Sequence, residues 1–163
     1  MLKLSLDNLQ NFLQQKNYNA QIQAQTSQVF LTFKIVHREF PLFARILAES
    51  QLLQLITFIP CNFTPNTLAN VARLLHLLNK DMDLPGFCMD EGPGVIFYRY
   101  IIHTPNQEID ENLLENYLNS IQLICQSFSA AIIGVATGTM TVEQVFKRVQ
   151  EQKSTKPKSN YNV

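Results

Sequence analysis

Between Asn19 and Pro60 the hydrophobic pattern changes period, and no other feature restricts the fold of this chain as strongly. Directly before and after the window apolar residues recur at helical spacing; inside it they alternate, as half-buried strands do. Ile22 stands between Gln21 and Gln23 in a short, mostly polar first strand, and Thr26-Ser27-Gln28 reads as a turn. Val29, Leu31, Phe33 and Ile35 then alternate with Phe30, Thr32, Lys34 and Val36. Past His37-Arg38, Phe40, Leu42, Ala44 and Ile46 alternate with Pro41, Phe43, Arg45 and Leu47, and Glu49-Ser50 turns into a fourth strand, Leu52 to Ile59. Pro41 cannot donate to a ladder and belongs near a strand start or an edge. A further hairpin follows: Phe87 to Asp90, a turn at Glu91-Gly92-Pro93-Gly94, then Val95 to His103. Such short connections make these strands antiparallel neighbours.

Four helix starts surround the strands. Ser5 is preceded by Leu4 and followed at N4 by Leu9. Thr64 stands likewise with Phe63 and Leu68, Asp110 with Ile109 and Leu114, and Thr141 with Met140 and Val145. In each case a side-chain oxygen can take an orphan N–H while the apolar pair staples the entry angle. Pro65 suits N1 of the second helix, and Gln144 completes a capping box with Thr141. The first helix runs from about 5 to 17 with Leu6, Leu9, Phe12 and Leu13 inward. The second, about 65 to 80, has a narrow solvent stripe through Asn66, Asn70, Arg73 and Lys80 and is expected to be central. The third starts at Asp110 and, unless Gly134 and Gly138 end it early, is roughly 40 Å long at its helical rise. The fourth spans about 142 to 152. The fold class is α+β: an antiparallel sheet with helices packed on one face, in the order α-β-β-β-β-α-β-β-α-α.

At 163 residues with 46% apolar content, the chain can bury the core of one domain, expected over 1–152, with a disordered basic tail at 153–163. Thirteen basic residues balance thirteen acids, but Lys153, Lys156 and Lys158 lie in the tail, leaving the body at a net of −3. A mildly acidic body is a poor polyanion binder. The N-terminus has no apolar signal region, and the longest uninterrupted apolar run, Ala130 to Ala136, is far short of a bilayer span. Cys61, Cys88 and Cys125 are odd in number and widely spaced, which fits reduced thiols in the cytoplasm.

The segment Leu78-Asn79 … Gly86-Phe87-Cys88-Met89-Asp90 … Gly94-Val95-Ile96-Phe97-Tyr98-Arg99 resembles the type III secretion chaperone-like superfamily, in particular its YbjN branch and, within that, a cyanobacterial family. The element order is similar across about 5 to 136. The resemblance implies a fold that binds other proteins, often as a homodimer, with no chemistry of its own. Secretion chaperones proper are markedly more acidic than this body, which argues against an export role.

The strand faces point the same way. If Val29, Leu31, Phe33 and Ile35 face the helices, the reverse face carries Phe30, Thr32, Lys34, Phe43 and Arg45, and Phe97 with Arg99 from the last strand. Aromatic and guanidinium groups low in acids are typical of interface cores. Phe30, Lys34, Phe43, Arg45, Phe97 and Arg99 are therefore the candidate partner-binding residues, and another protein or a peptide segment is the expected partner. The bland reading is a partly covered sheet whose Phe rings touch Lys and Arg stems. A single-stranded RNA surface is the main alternative, weakened by having only three cations on that face. A small-ligand receptor is the other.

No catalytic, cofactor or metal site is expected. His37, His76 and His103 lie far apart, and no Cys or His pair has metal-site spacing, although Cys61, His76 and Cys88 could converge in three dimensions. The acidic groups Asp81, Asp83, Asp90, Glu91 and Glu108, Asp110, Glu111 sit at helix ends and turns, where solvated charge is ordinary. Gly92-Pro93-Gly94 is a tight turn with no helix or Lys-Ser/Thr behind it, unlike a phosphate loop.

Overall fold

The computed structural model describes residues 1–82 and 86–155, with side chains through Glu151. In chain order the elements are β1 (Leu2–Lys3), α1 (Leu6–Gln15), β2 (Gln21–Gln23), β3 (Gln28–Ile35), β4 (Arg38–Leu47), β5 (Leu52–Asn62) and α2 (Leu68–Asp81), followed by β6 (Phe87–Asp90), β7 (Val95–His103), a 3-10 turn (Pro105–Gln107), β8 (Glu108–Ile109), α3 (Glu111–Ala136) and α4 (Val142–Thr155). Strands β2 to β7 form one six-stranded sheet in the order β2-β3-β4-β5-β7-β6, antiparallel at every pairing. The expected fold class and element order hold. The pairing β1–β8 is an addition that ties the N-terminus to the segment entering α3.

Period-two sequence becomes a two-faced sheet. Leu31, Phe33, Phe40, Leu42, Leu53, Leu55, Ile96 and Tyr98 point inward and are buried, while their sequence neighbours on the other face are half-buried or exposed. The inward face meets Leu9 and Leu13 of α1, Val71 and Leu74 of α2, and Leu114, Leu118, Ile121 and Cys125 of α3. Pro41 pairs with Thr32 in β3, and the β4–β5 register begins only at Leu42, so its missing N–H interrupts no bond on that side. Val36 is not part of β3. It and His37 hold φ of 46° and 63° at the β3–β4 turn, because a two-residue hairpin of this hand needs positive φ at both positions.

Three helix starts behave as the sequence indicates. Ser5 accepts from Asn8 N–H, Asp110 accepts from Leu113 N–H, and Thr141 and Gln144 exchange both bonds of a capping box. The second does not. Helix α2 begins at Leu68, three residues later than expected, with Thr67 rather than Thr64 at its N-cap and no side-chain cap bond. The Thr67 hydroxyl is drawn instead to the carbonyls of Thr64 and Ala136, and so ties the α2 entry to the end of α3. Nor is α2 central: Ala69, Ala72 and His76 are exposed, and only Val71, Leu74 and Leu75 are buried. The central helix is α3, packed on β3 and β5 with ten buried residues. By length and composition it would also suit a bilayer span, as long core helices do. Gly134 lies against Met140, where a Cβ would come within 2.8 Å of the sulfur, and Gly138 ends the helix at a φ of +72°. Helix α4 reaches Thr155, so 153–155, expected as the start of the tail, are helical; the rest of the tail expected at 153–163 lies outside the described residues, as does Asp83.

Candidate partner-binding face

The outward face of the sheet carries a row of phenylalanines that no single strand supplies. Antiparallel register sets Phe30 opposite Phe43, Phe43 opposite Ile56, Ile56 opposite Arg99, and Phe58 opposite Phe97. The rings follow one another across β3, β4, β5 and β7. Centroid distances are 5.1 Å for Phe30–Phe43, 5.7 Å for Phe43–Phe58 and 5.8 Å for Phe58–Phe97, within the range of favourable tilted and edge-on pairs. All four rings are half-buried by one another, and no described helix packs over them.

Cations flank the row. Arg45 is held in place: its Nε donates to Gln28 Oε1 at 2.8 Å, and Gln28 Nε2 donates in turn to Gln23 Oε1 at 2.7 Å. Gln28 is buried by these contacts, with 6% of its surface exposed, so the arginine rests on a fixed support. Beside it is a shallow hollow of about 180 Å³ lined by Gln28, Phe43, Arg45, Ile56 and Phe58. Arg99 is exposed two residues along β7 from Phe97. Lys34 is exposed at the margin, opposite Glu39 in register. Among the described residues the ion pairs are Lys16–Glu115 and Arg73–Glu143, so none of these three cations is neutralised by a salt bridge.

The structure thus brings Phe30, Phe43 and Phe97 into one row, places Arg45 and Arg99 beside it, and leaves Lys34 at the edge. The sequence reading omitted Phe58 and Ile56, the two residues that join the halves of the row. The segment Leu52 to Ile59 is apolar on both faces, so alternation alone could not assign its sides.

Two of the acids considered for chemistry, Asp90 and Asp110, have structural roles. Among the described residues no three His, Cys, Asp or Glu side chains come together as a metal site would require. Asp90 Oδ1 accepts from Gly92 N–H in the hairpin turn, and Asp110 caps α3. Burial raises the Cys61 thiol, with Arg38 opposing, and pushes Cys125 up to about 12, the reverse of an activated nucleophile.

A family model described as "YbjN: Putative bacterial sensory transduction regulator" matches residues 5–134. Among solved structures, the crystal structure of YbjN from E. coli, described as "a putative transcription regulator", superposes with a TM-score of 0.60 at 9% identity, over 80% of this chain and 95% of that one. At that identity the likeness concerns the fold. No curated protein matches the chain.

Proposed function

The chain belongs to the YbjN family, and from that premise we propose that it is a non-enzymatic regulatory factor that holds another protein on the outward face of its sheet. The observation that supports this most is the Phe30–Phe43–Phe58–Phe97 row with Arg45 and Arg99 beside it. Aromatic anchors with arginine are the side chains that concentrate binding energy in protein interfaces. A row four strands wide, rather than one exposed ring, gives a partner segment a continuous apolar floor with fixed cations along it. The face carries Lys34, Arg45 and Arg99 against Glu39 and Asp90 on a body of net −3, so the partner segment is apolar with carboxylates at its margins. The free, partly or wholly buried thiols fit a reducing compartment, and we place the protein in the cytoplasm.

The test compares proteins retained from native extract by the wild type and by the Phe43→Asp/Phe97→Asp variant. Loss of hot-spot rings is expected to weaken a specific partner by about 2 kcal/mol or more for each ring. An Arg45→Glu/Arg99→Glu variant, altered at exposed positions only, separates lost binding from lost folding. Identical partners retained by all three proteins would remove the sheet face from consideration. Saturable binding of an oligonucleotide, lost in the arginine variant, would move the face to nucleic acid.

A further inference from the structure

Where β3 turns into β4, a hollow of about 370 Å³ opens between the turn and the C-terminal half of α3. Val36 and Arg38 line it from the sheet side, Ser129 and Ile133 from the helix, and Met140 from the segment that leads into α4. Clefts from about 300 Å³ upward hold small molecules when a few polar groups converge on apolar walls. Three of these residues behave in ways that the fold itself does not require.

Ser129 is the first. A helical serine or threonine commonly bonds back to the carbonyl one turn before it. Ser120, Ser127 and Thr137 do so, donating to Asn116 O, Leu123 O and Ile133 O, each at 2.8 Å. The Ser129 hydroxyl makes no hydrogen bond among the described residues, although only 8% of the residue is exposed. A buried polar group left without a partner is uncommon, and this one borders the hollow.

Arg38 is the second. It is exposed at the rim, and the ion pairs among the described residues, Lys16–Glu115 and Arg73–Glu143, do not include it. Glu39, the next residue, alternates to the other face of the sheet opposite Lys34. No Asp or Glu lines the hollow. Arg148 adds to the positive charge at its far end, where its Nη1 donates to Met140 Sδ at 3.7 Å. Val36 is the third. A β-branched residue rarely takes a φ of 46°, and Asn or Gly is usual at this turn position. Its side chain is nevertheless 69% exposed, so core packing does not account for the strain.

We propose that the hollow binds a small aliphatic carboxylate, with its charged group between Arg38 and Ser129 and its chain against Val36, Ile133 and Met140. A guanidinium takes a carboxylate through two parallel N–H bonds, and the serine hydroxyl supplies a further donor. Inorganic phosphate fits less well, because it leaves the apolar walls uncovered. The site shares no residue with the phenylalanine row, so it gives the chain a small-molecule input separate from the proposed docking face.

Calorimetric titration of the full chain with octanoate tests it, with amide NMR shifts locating the ligand. Saturable binding is expected, with the largest shifts at Val36, Arg38 and Ser129. Octanol has the chain without the charge and phosphate the charge without the chain. Each is expected to bind about tenfold more weakly or not at all. Arg38→Gln is expected to weaken octanoate about tenfold or more, and Ser129→Ala about threefold or more. Both variants should keep the wild-type urea midpoint, since Arg38 is exposed and the Ser129 hydroxyl bonds to nothing in the protein. Absence of saturable octanoate binding overturns the proposal. So does undiminished binding by Arg38→Gln, or octanol or phosphate binding as tightly as octanoate. Octanoate binding lost in Arg45→Gln instead also overturns it, by moving the ligand to the sheet face.

Discussion

Asn79 explains why the most recognisable stretch of this sequence reads as it does. Its side-chain amide donates from Nδ2 to Phe87 O and accepts at Oδ1 from Phe87 N–H, both at 2.8 Å, so one residue near the end of α2 serves both backbone groups of the first residue of β6. Gly86 must be glycine for this to happen, because a Cβ there would lie 2.6 Å from the Asn79 carbonyl oxygen. Asp90 folds the hairpin turn by accepting from Gly92. Gly94 takes a φ of +67° with its Cα face 2.8 Å, at the position of a Cβ, from Phe63 O, and its own carbonyl accepts from Phe63 N–H. Asn79, Gly86, Asp90 and Gly94 thus form a structural joint that fixes α2 and the strand before it to the β6–β7 hairpin. Replacing Asn79 by Ala leaves a half-buried Phe87 amide and carbonyl unpaired and is expected to cost about 1–3 kcal/mol of stability. Urea unfolding measures it, and an unchanged midpoint would mean that the joint is dispensable. Partner retention by the sheet face should stay as in the wild type at concentrations where the variant is folded.

At the level of whole elements, caps distinguish what local sequence decides from what tertiary contact decides. Asp110 and Thr64 have the same flanking pattern, yet Asp110 caps α3 and Thr64 does not cap α2, because Thr67 bonds to the end of α3. Asp110→Ala is accordingly expected to lower stability by about 1 kcal/mol, while Thr64→Ala stays within a few tenths. Equal losses in thermal or urea unfolding of the two variants would contradict that assignment. The same division governs how much was legible beforehand. The hairpin strands Phe87–Asp90 and Val95–His103 are readable to the residue, since the Glu91-Gly92-Pro93-Gly94 turn that separates them is local chemistry. The β1–β8 pairing joins residues more than a hundred positions apart through two residues on each side, and nothing in either dipeptide announces it. Phe58 belongs to the binding row only through register with Phe97, and Leu52–Ile59 is apolar on both faces, so its contribution became visible only once β4, β5 and β7 were laid side by side.

Across the whole molecule, charge and burial are separated by layer. Acids and bases occupy turns, exposed helix positions and the outward face of the sheet, whereas the buried titratable groups with shifted ionisation are phenols and thiols. Burial is the leading cause for each of these: it raises Tyr98, with Tyr100 and Cys125 adding to it, raises Tyr100, Tyr18 and Cys61, and pushes Cys125 up to about 12. All are acids that the fold keeps protonated. Above the ordinary thiol value the unfolded chain releases protons that the folded chain retains, so the native state binds more protons and stability falls as pH rises. The contribution is complete below about pH 9 and is lost between there and about 12, at up to roughly 1.4 kcal/mol per pH unit for each fully buried group. Urea midpoints are therefore expected to be level from about pH 7 to 8.5 and to drop steeply from about 9 to 11, in the window set by thiol and phenol ionisation. Cys125→Ala removes one of the retained protons, so the variant starts from a lower midpoint but declines less steeply through the first part of that window. A decline of the same slope in both proteins would show that Cys125 does not titrate with unfolding, and a midpoint that rises with pH would contradict a core that holds its acids neutral.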